Sequence, residues 1–155
     1  MRGQSKRRSG FSLLEVVVGI ALVAIAVLGL AEMFTLSVLN NMKSDRITSA
    51  SFLAQQQIDR LRSLTAAELS LVAGSAAVDL NNDGTNDFFR DELIDINQDN
   101  LNDFRRITTV QTFGTAWQVE IFVFTAEQFD ANMNDLTSNP VEHRVKARLG
   151  TIVHR

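Results

Sequence analysis

The sequence predicts an α+β fold in which one long N-terminal α-helix packs against a small antiparallel sheet of three or four strands. Three observations predict it. Residues 11–31 are almost entirely apolar, residues 32–64 carry apolar side chains at helical spacing, and residues 106–153 hold segments in which apolar and polar side chains alternate. With 155 residues, the chain is long enough for one modest globular head after such a helix.

The first half of the helix has the length and composition of a membrane span. The run from Val16 to Ala31 contains no charge, and with residues 11–14 it can cross the ~30 Å hydrocarbon layer as a helix of roughly 20 residues. The charge before it is entirely positive and comes from Arg2, Lys6, Arg7 and Arg8. We therefore expect a single pass with a cytoplasmic N-terminus. Glu15 is the exception, and a carboxylate at such a position usually has a partner.

The residues Gly10-Phe11-Ser12-Leu13-Leu14-Glu15, after a short basic leader, resemble the class III signal of type IV pilins and pseudopilins. The resemblance implies a pilin-like fold. It implies that a prepilin peptidase removes residues 1–10 by cutting between Gly10 and Phe11, and that Phe11 is then N-methylated. It also implies that Glu15 pairs with the terminal amine of a neighbouring subunit during assembly. In a dry filament core a buried carboxylate and a buried ammonium each need the other.

Two other interpretations of this segment stay open. Residues 29–31 offer a small-x-small cleavage site after an apolar run, as a secretory signal peptide does. The segment could also be a plain membrane anchor in which Glu15 has no role. The mature N-terminus distinguishes the three: Phe11 indicates a pilin, Glu32 a secreted protein and Met1 a plain anchor.

Residues 32–64 are predicted to form the amphipathic outer half of the same helix. No proline or glycine lies between Ala31 and Gly74, so residues 11–64 are predicted to be one helix of roughly 80 Å. The stretch Ala50–Leu64 is similar to PilV-type minor pilins and to the I-type pseudopilins of type II secretion. Many major pilins have a helix-breaking proline after the apolar run, whereas the only proline here is Pro140. The resemblance therefore favours a minor pilin, with a pseudopilin as the alternative.

The head is predicted to comprise residues 65–155, with Asp/Asn-rich loops at 79–104 and a C-terminal sheet at 106–153. Three strands are predicted, at 106–113, 116–125 and 143–153. In the middle strand, two sets of apolar side chains point to opposite faces, namely Trp117, Val119, Ile121 and Val123 on one and Phe122 and Phe124 on the other. Residues 127–142 are predicted to be a polar loop. The sheet would cover the outer half of the helix.

The loops contain a duplication. Asp79-Leu-Asn-Asn-Asp-Gly-Thr-Asn-Asp-Phe88 recurs sixteen residues later as Asp95-Ile-Asn-Gln-Asp-Asn-Leu-Asn-Asp-Phe104, with six of ten positions identical. Oxygen side chains at positions one, three, five and nine suit a loop wrapped around a hard cation. The candidate calcium ligands are Asp79, Asn81, Asp83, Asp87, Asp95, Asn97, Asp99 and Asp103.

The calcium prediction has a rival. The pattern resembles the D-x-N-x-D-G-x-x-D loops of dockerin and thrombospondin type 3 repeats, and Gly84 occupies the position where such a loop turns. Position twelve of an EF-hand, which should hold a bidentate Glu, is Arg90 in one copy and Arg106 in the other. Asp91 or Glu92 could close the first copy instead. The alternative interpretation is a pair of solvated Asx-rich turns.

Composition excludes several function classes. Cysteine is absent, so no disulfide closes the head, although many pilins of this family have one near the C-terminus. Removing residues 1–10 leaves eleven Lys and Arg against eighteen Asp and Glu, a formal charge of −7, which disfavours direct nucleic-acid binding. There is no thiol nucleophile, no phosphate-binding glycine loop and no histidine-rich zinc cluster; His143 is interpreted as a polar residue at a strand edge. An enzyme is not expected.

The sequence therefore predicts a minor type IV pilin, an assembly subunit that inserts in the bacterial inner membrane. Its expected partners are the prepilin peptidase and methylase, inner-membrane lipid before assembly, and other pilin subunits afterwards. A pseudopilin of a periplasmic type II secretion apparatus is the alternative. A calcium-binding anchored or secreted protein that never polymerises is the alternative of another class.

Overall fold

The structure, a computed structural model, describes residues 12–154. The chain divides into two compact units, Met1–Lys43 and Ser44–Arg155, and we call the second unit the head. Helix α1 (Leu13–Ser63) begins in the first unit and ends in the head. The predicted cleavage site between Gly10 and Phe11 lies outside the described residues.

The first unit contributes the apolar part of α1. Every side chain from Leu13 to Lys43 is exposed in the single chain. Among the helices of the part that the structure describes, α1 is the one long and apolar enough to cross a membrane, and none of its apolar window is buried within the chain. An apolar surface of this length requires lipid or other subunits around it.

The head contains the amphipathic part of α1. Six residues at helical spacing are buried there on one face, namely Ala50, Leu53, Ala54, Gln57, Ile58 and Leu61. The five apolar ones belong to the same core cluster as residues of α2 and the main sheet. The prediction that this half of the helix packs against the head is confirmed.

The end of α1 agrees with the prediction within one residue, but the helix that follows it was not predicted. The helix stops at Ser63, and a second helix, α2 (Ala66–Gly74), starts after a break at Leu64 and Thr65. Thr65 and Glu68 form a capping box: the Thr65 hydroxyl accepts the Glu68 N–H at 3.3 Å, and Glu68 Oε2 accepts the Thr65 N–H at 2.7 Å. The hydrogen bonds from Thr65 hold the pKa of Glu68 below its ordinary value. A break without proline or glycine is possible because the cap satisfies the new helix end.

The head contains two antiparallel sheets, built from six strands: β1 (Ala77–Val78), β2 (Phe88–Phe89), β3 (Asp91–Ile94), β4 (Phe104–Phe113), β5 (Ala116–Thr125) and β6 (Ala147–His154). Strands β1 and β2 pair with each other, and the larger sheet has the order β3-β4-β5-β6. The predicted α+β fold is confirmed, with four strands in the main sheet. The loop region 79–104 was predicted without strands, and this was wrong, because β2 and β3 lie within it.

Strand bounds also needed correction. β4 begins at Phe104 instead of residue 106, because Phe104 pairs with both Ile94 and Thr125. β6 begins at Ala147 instead of His143, because residues 140–144 form a turn in which Arg144 has a positive φ of 54°. His143 therefore lies in this turn and not at a strand edge, and its Nε2 lies 2.9 Å from a carboxylate oxygen of Asp135.

The two faces of the main sheet are covered differently. Val119 and Ile121 belong to the core that contains α1 and α2. Phe122 and Phe124 point to the other face, as predicted, and pack with Leu136. Leu136 belongs to a short helix, α3 (Met133–Ser138), which follows a 3-10 turn at Ala126–Gln128 inside the region predicted to be a polar loop. This helix therefore shields the two phenylalanines from solvent.

Candidate functional site

The N-terminal end of α1 carries the first candidate residue. Ser12 caps the helix: its hydroxyl accepts the Leu14 N–H at 3.2 Å, and its carbonyl accepts the Glu15 N–H at 3.0 Å. Glu15 lies in the first turn, where the helix dipole favours a negative charge. Its side chain is exposed and belongs to no ion pair within residues 12–154. That Glu15 binds the amine of a neighbouring subunit stays a prediction.

The duplicated segments form the tips of two β-hairpins. Residues 79–87, the first loop, connect β1 to β2, and residues 95–103, the second loop, connect β3 to β4. Each is closed by the same backbone bond, from the Asp87 N–H to Val78 O at 2.9 Å and from the Asp103 N–H to Ile94 O at 2.8 Å. The sequence repeat is therefore a repeat of hairpins.

In the first loop, the carboxylate at position one organises the turn. Asp79 accepts the N–H of Asn82 at 2.7 Å and that of Gly84 at 2.9 Å. Asn82 and Gly84 have positive φ angles of 59° and 90°, the left-handed region that Asn and Gly tolerate best. Two backbone donors that point inward are thus satisfied by one side chain.

The second loop repeats this arrangement with different residues. Asp95 accepts the N–H of Gln98 at 2.7 Å and that of Asn100 at 2.8 Å. Gln98 and Asn100 have φ angles of 59° and 67°. Asn100 thus occupies, with a positive φ, the position of the sharp turn that Gly84 occupies in the first loop.

Position five holds a second carboxylate in each loop, and here the copies differ. Asp83 Oδ1 accepts the N–H of Thr85 at 2.8 Å and also its hydroxyl, and these bonds lower the pKa of Asp83, with the hydroxyl as the largest cause. Asp99 Oδ1 accepts the N–H of Leu101 at 2.8 Å, but leucine has no hydroxyl to add. The backbone is the same with or without that hydroxyl.

Position nine closes each loop. Asp87 Oδ2 accepts the Leu80 N–H, and Asp103 Oδ2 accepts the Ile96 N–H, both at 2.9 Å. Asp87 also lies 3.9 Å from Arg60 of α1, an ion pair that Asp103 lacks within the described part of the chain. The structure thus brings each set of four predicted ligands into one loop, where they bind backbone and neighbouring side chains.

The calcium prediction is not tested by these contacts. In the described residues, no group of three or more Asp, Glu or His side chains is arranged as a metal site. The carboxylates instead satisfy backbone N–H groups, and Asn81 and Asn97 each donate to the carboxylate two residues later, at 2.9 and 3.1 Å. Calcium binding by these loops stays a prediction.

The arginines at position twelve have structural partners. Arg90 donates to the carbonyl of Ala73 in α2 at 2.9 Å. Its equivalent, Arg106, donates to the carbonyl of Leu53 in α1 at 3.3 Å and forms an ion pair with Glu92. In both copies, the residue that replaces the bidentate Glu of an EF-hand ties the hairpin to a helix carbonyl.

Arg105 connects β4 to β3 and to the segment that precedes α3. It is 7% exposed, binds both carboxylate oxygens of Asp91 at 2.8 and 2.6 Å, and donates through Nη1 to three carbonyls before α3, those of Gln128, Phe129 and Ala131. The bond with Asp91 is the main reason that the pKa of Arg105 is raised. Because Asp91 and Glu92 are engaged by Arg105 and Arg106, neither of these carboxylates is turned to close the first loop.

Comparison with known proteins concerns the N-terminal segment. The family model described as the prokaryotic N-terminal methylation motif matches residues 5–31. The match supports membership of the type IV pilin-like family. This motif is the class III prepilin signal, and such pilin-like proteins are structural rather than catalytic. It implies processing by a peptidase and assembly with other pilins, and with the apolar α1 it fits an inner-membrane anchor. No match was found among curated proteins or among solved structures.

Sequence reasoning missed three groups that stabilise the head. The capping box could have been found from the Thr65-x-x-Glu68 pattern. The ion pairs of Arg105 and Arg106 could not, because they depend on the register of β3 with β4, which places Glu92 opposite Arg106 and Asp91 two residues from Leu93, the residue opposite Arg105. Their one sequence signal is two adjacent arginines within a segment that becomes a buried strand.

Proposed function

We propose that this protein is a minor type IV pilin. It inserts in the bacterial inner membrane through residues 11–31, with a cytoplasmic N-terminus, and is cleaved after Gly10 and methylated at Phe11. It then packs through α1 into a pilus. The observation that carries this proposal is the methylation motif at residues 5–31, followed by an apolar helix whose side chains are exposed throughout residues 13–43.

The choice of a minor pilin is supported by α1. The helix runs from Leu13 to Ser63 without the proline that interrupts many major pilins. The similarity of Ala50–Leu64 to PilV-type minor pilins supports the same choice. An I-type pseudopilin is the second candidate, since Ala50–Leu64 is similar to this class as well. Recovery of the chain in filaments sheared from the cell surface supports the pilin, and its restriction to the membrane and periplasm supports the pseudopilin.

The assembly role is tested at Glu15. Glu15→Ala is expected to leave membrane insertion intact and to reduce incorporation of the subunit into filaments by at least about ten-fold, since an unpaired amine would remain in the dry core. Glu32→Ala is the matched control, because Glu32 is another exposed carboxylate of α1 outside the motif. Immunoblots of sheared filaments and membranes measure both. Undiminished incorporation of Glu15→Ala would show that the role given to Glu15 is wrong.

Processing is tested directly by the mature N-terminus. Mass spectrometry should find Phe11 as the first residue, with one added methyl group. Glu32 or Met1 at that position would instead support the secreted or the plainly anchored protein.

Calcium binding by the loops is a second candidate function, favoured by the repetition. Asp79 and Asp95, Asp83 and Asp99, and Asp87 and Asp103 occupy equivalent places in two loops with the same backbone bonds. Carboxylates, carboxamides and carbonyls are the ligands that calcium prefers. Binding would neutralise the like charges gathered in each loop.

The test is thermal unfolding of the full chain in detergent. A calcium ion that binds the folded head should raise its melting temperature at millimolar concentration, by mass action. Asp79→Ala and Asp95→Ala together should abolish the rise, whereas Asp45→Ala, an exposed carboxylate on α1, should not. An unchanged melting temperature in calcium would reject the prediction and leave the pilin proposal untouched.

A further inference from the structure

A cleft of about 250 Å³ lies within the head, and α1, the second loop, β4 and β5 each contribute to its lining. Phe104, which is 4% exposed, belongs to the core that contains α1 and α2 and gives the cleft an apolar surface. The volume is smaller than the roughly 300–1,000 Å³ of pockets for drug-sized ligands, so the cleft suits a smaller molecule. The lining residues are Arg46, Asn102, Asp103, Phe104, Thr125 and Glu127.

The hydroxyl of Thr125 is a polar group of this cleft that has no partner. Thr125 is 7% exposed and lies opposite Phe104 in the pairing of β4 with β5. Its hydroxyl makes no hydrogen bond to the described part of the chain, whereas that of Thr109, on the same sheet, donates to the carbonyl of Glu120 at 3.3 Å. A hydroxyl that is nearly buried needs a partner, and this one can receive it only from the cleft that it lines.

Charges of both signs line the cleft without binding each other. Arg46 on α1 and Glu127 after β5 are exposed, and neither belongs to an ion pair within residues 12–154. Asp103 accepts the Ile96 N–H through Oδ2, but its Oδ1 accepts no hydrogen bond from the described residues. One guanidinium and two carboxylates are therefore available to a ligand in the same cleft.

This combination of charges favours a ligand that carries both signs. An anion bound to Arg46 would lie near Asp103 and Glu127, and a cation bound to these acids would lie near Arg46, so a ligand with one charge meets repulsion as well as attraction. A small zwitterion avoids this, because its ammonium can bind the acids while its carboxylate binds the arginine. α-Amino acids are the simplest molecules of this kind.

We propose that this cleft binds a small zwitterion of the α-amino-acid class. Its carboxylate binds Arg46, its ammonium binds Asp103 and Glu127, and the hydroxyl of Thr125 completes the site with one hydrogen bond. Every lining residue belongs to the head, so the site requires no assembly and is independent of the proposed function.

Equilibrium dialysis of the full chain in detergent measures binding, with a chelator present so that calcium does not compete at Asp103. L-Serine and L-leucine are the probes, one with a polar and one with an apolar side chain, and at least one should bind saturably at millimolar concentration. Its amide, which lacks the carboxylate, and its N-acetyl form, which lacks the ammonium, should each bind at least about ten-fold more weakly. Failure of both amino acids to bind, or equal affinity of either modified form, would overturn the inference.

The arginine is tested by a matched pair of variants. Arg46→Met should weaken binding of the amino acid at least about ten-fold and remove its advantage over the amide, because the carboxylate loses its partner. Lys43→Met removes another exposed cation of α1, outside the cleft, and should leave binding unchanged. Equal losses in the two variants would indicate a general effect of net charge and overturn the inference.

The other side of the cleft is tested in the same way. Thr125→Val removes the hydroxyl but keeps the shape of the side chain, and should weaken binding by about three-fold. Glu127→Gln should narrow the advantage of the amino acid over its N-acetyl form, whereas Glu142→Gln, at an exposed glutamate outside the cleft, should not. The melting temperature of each variant checks that the head is folded. Wild-type affinity in both Arg46→Met and Thr125→Val would overturn the inference and leave the pilin proposal, which the mature N-terminus tests separately, intact.

Discussion

The first and second hairpin loops differ at their sixth and seventh positions. The sixth residue is Gly84 in the first loop and Asn100 in the second, with φ angles of 90° and 67°. The seventh residue is Thr85 in the first loop and Leu101 in the second. The carboxylates at positions one, five and nine are the same, and so are the backbone bonds that they accept. The difference teaches that the carboxylates carry the loop geometry, since residues of different chemistry at six and seven leave it unchanged.

The two hairpins also differ in how firmly they are tied to the helices. The first is tied through Arg90, which binds one carbonyl of α2, and through the long ion pair of Asp87 with Arg60. The second is tied through Arg106, which is 6% exposed and binds both a carbonyl of α1 and Glu92 of β3. Breaking this ion pair from one side is costly because Glu92, whose side chain is 35% exposed, loses its partner.

The largest expected effect therefore comes from these equivalent arginines. Arg106→Met should lower the free energy of unfolding of the head by about 2–3 kcal/mol, since Glu92 keeps some contact with water. Arg90→Met should lower it by about 1 kcal/mol, the usual value of one hydrogen bond. Denaturant unfolding of the full chain in detergent, followed by the fluorescence of its single tryptophan, Trp117, measures both. Equal losses would show that the hairpins are tied equally.

An intermediate effect is expected at the sixth position. Gly84→Ala should destabilise the head by about 1–2 kcal/mol, because alanine disfavours a positive φ. Asn100→Gly should change stability by less than about 0.5 kcal/mol, because both residues tolerate this region. The same unfolding experiment compares them. A harmless Gly84→Ala would contradict the positive φ assigned to the first loop.

The smallest expected effect concerns the hydroxyl at the seventh position. Thr85→Val should lower the stability of the head by less than Gly84→Ala does, because Asp83 loses one hydrogen bond at an exposed site. Leu101→Thr should be neutral or stabilise by up to about 0.5 kcal/mol, since its hydroxyl can reach Asp99 as that of Thr85 reaches Asp83. If it instead destabilised the head as much as Arg106→Met, leucine would be needed for folding.

Much of the fold could be predicted because it follows from local periodicity. The apolar run, the helical spacing up to Leu61 and the alternation in β5 each depend on residues close in sequence, so the helix, the middle strand and its two faces were predicted correctly. The capping box at Thr65 and Glu68 was also local, so the start of α2 could have been predicted from the Thr65-x-x-Glu68 pattern.

Other features could not be predicted, because they depend on residues distant in sequence. Arg105 and Arg106 are separated from Asp91 and Glu92 by a nine-residue loop, and only the register of β3 with β4 sets each arginine beside its acid. The short helix over Phe122 and Phe124 has little periodicity of its own; it forms because Leu136 covers them. The exposure of Ile96 and Leu101 became visible only by comparing two loops of the same geometry.

By itself, the sequence determined which segments become helix, sheet and paired loops, since periodicities and short repeats are local properties of the chain. Tertiary structure alone decided what the loops do. In the folded head, the loop carboxylates accept hydrogen bonds from backbone N–H groups, and both position-twelve arginines donate to helix carbonyls. The second loop exposes two apolar side chains, Ile96 and Leu101. The physical reason is that the role of a side chain depends on the groups that it contacts, and the fold determines those contacts.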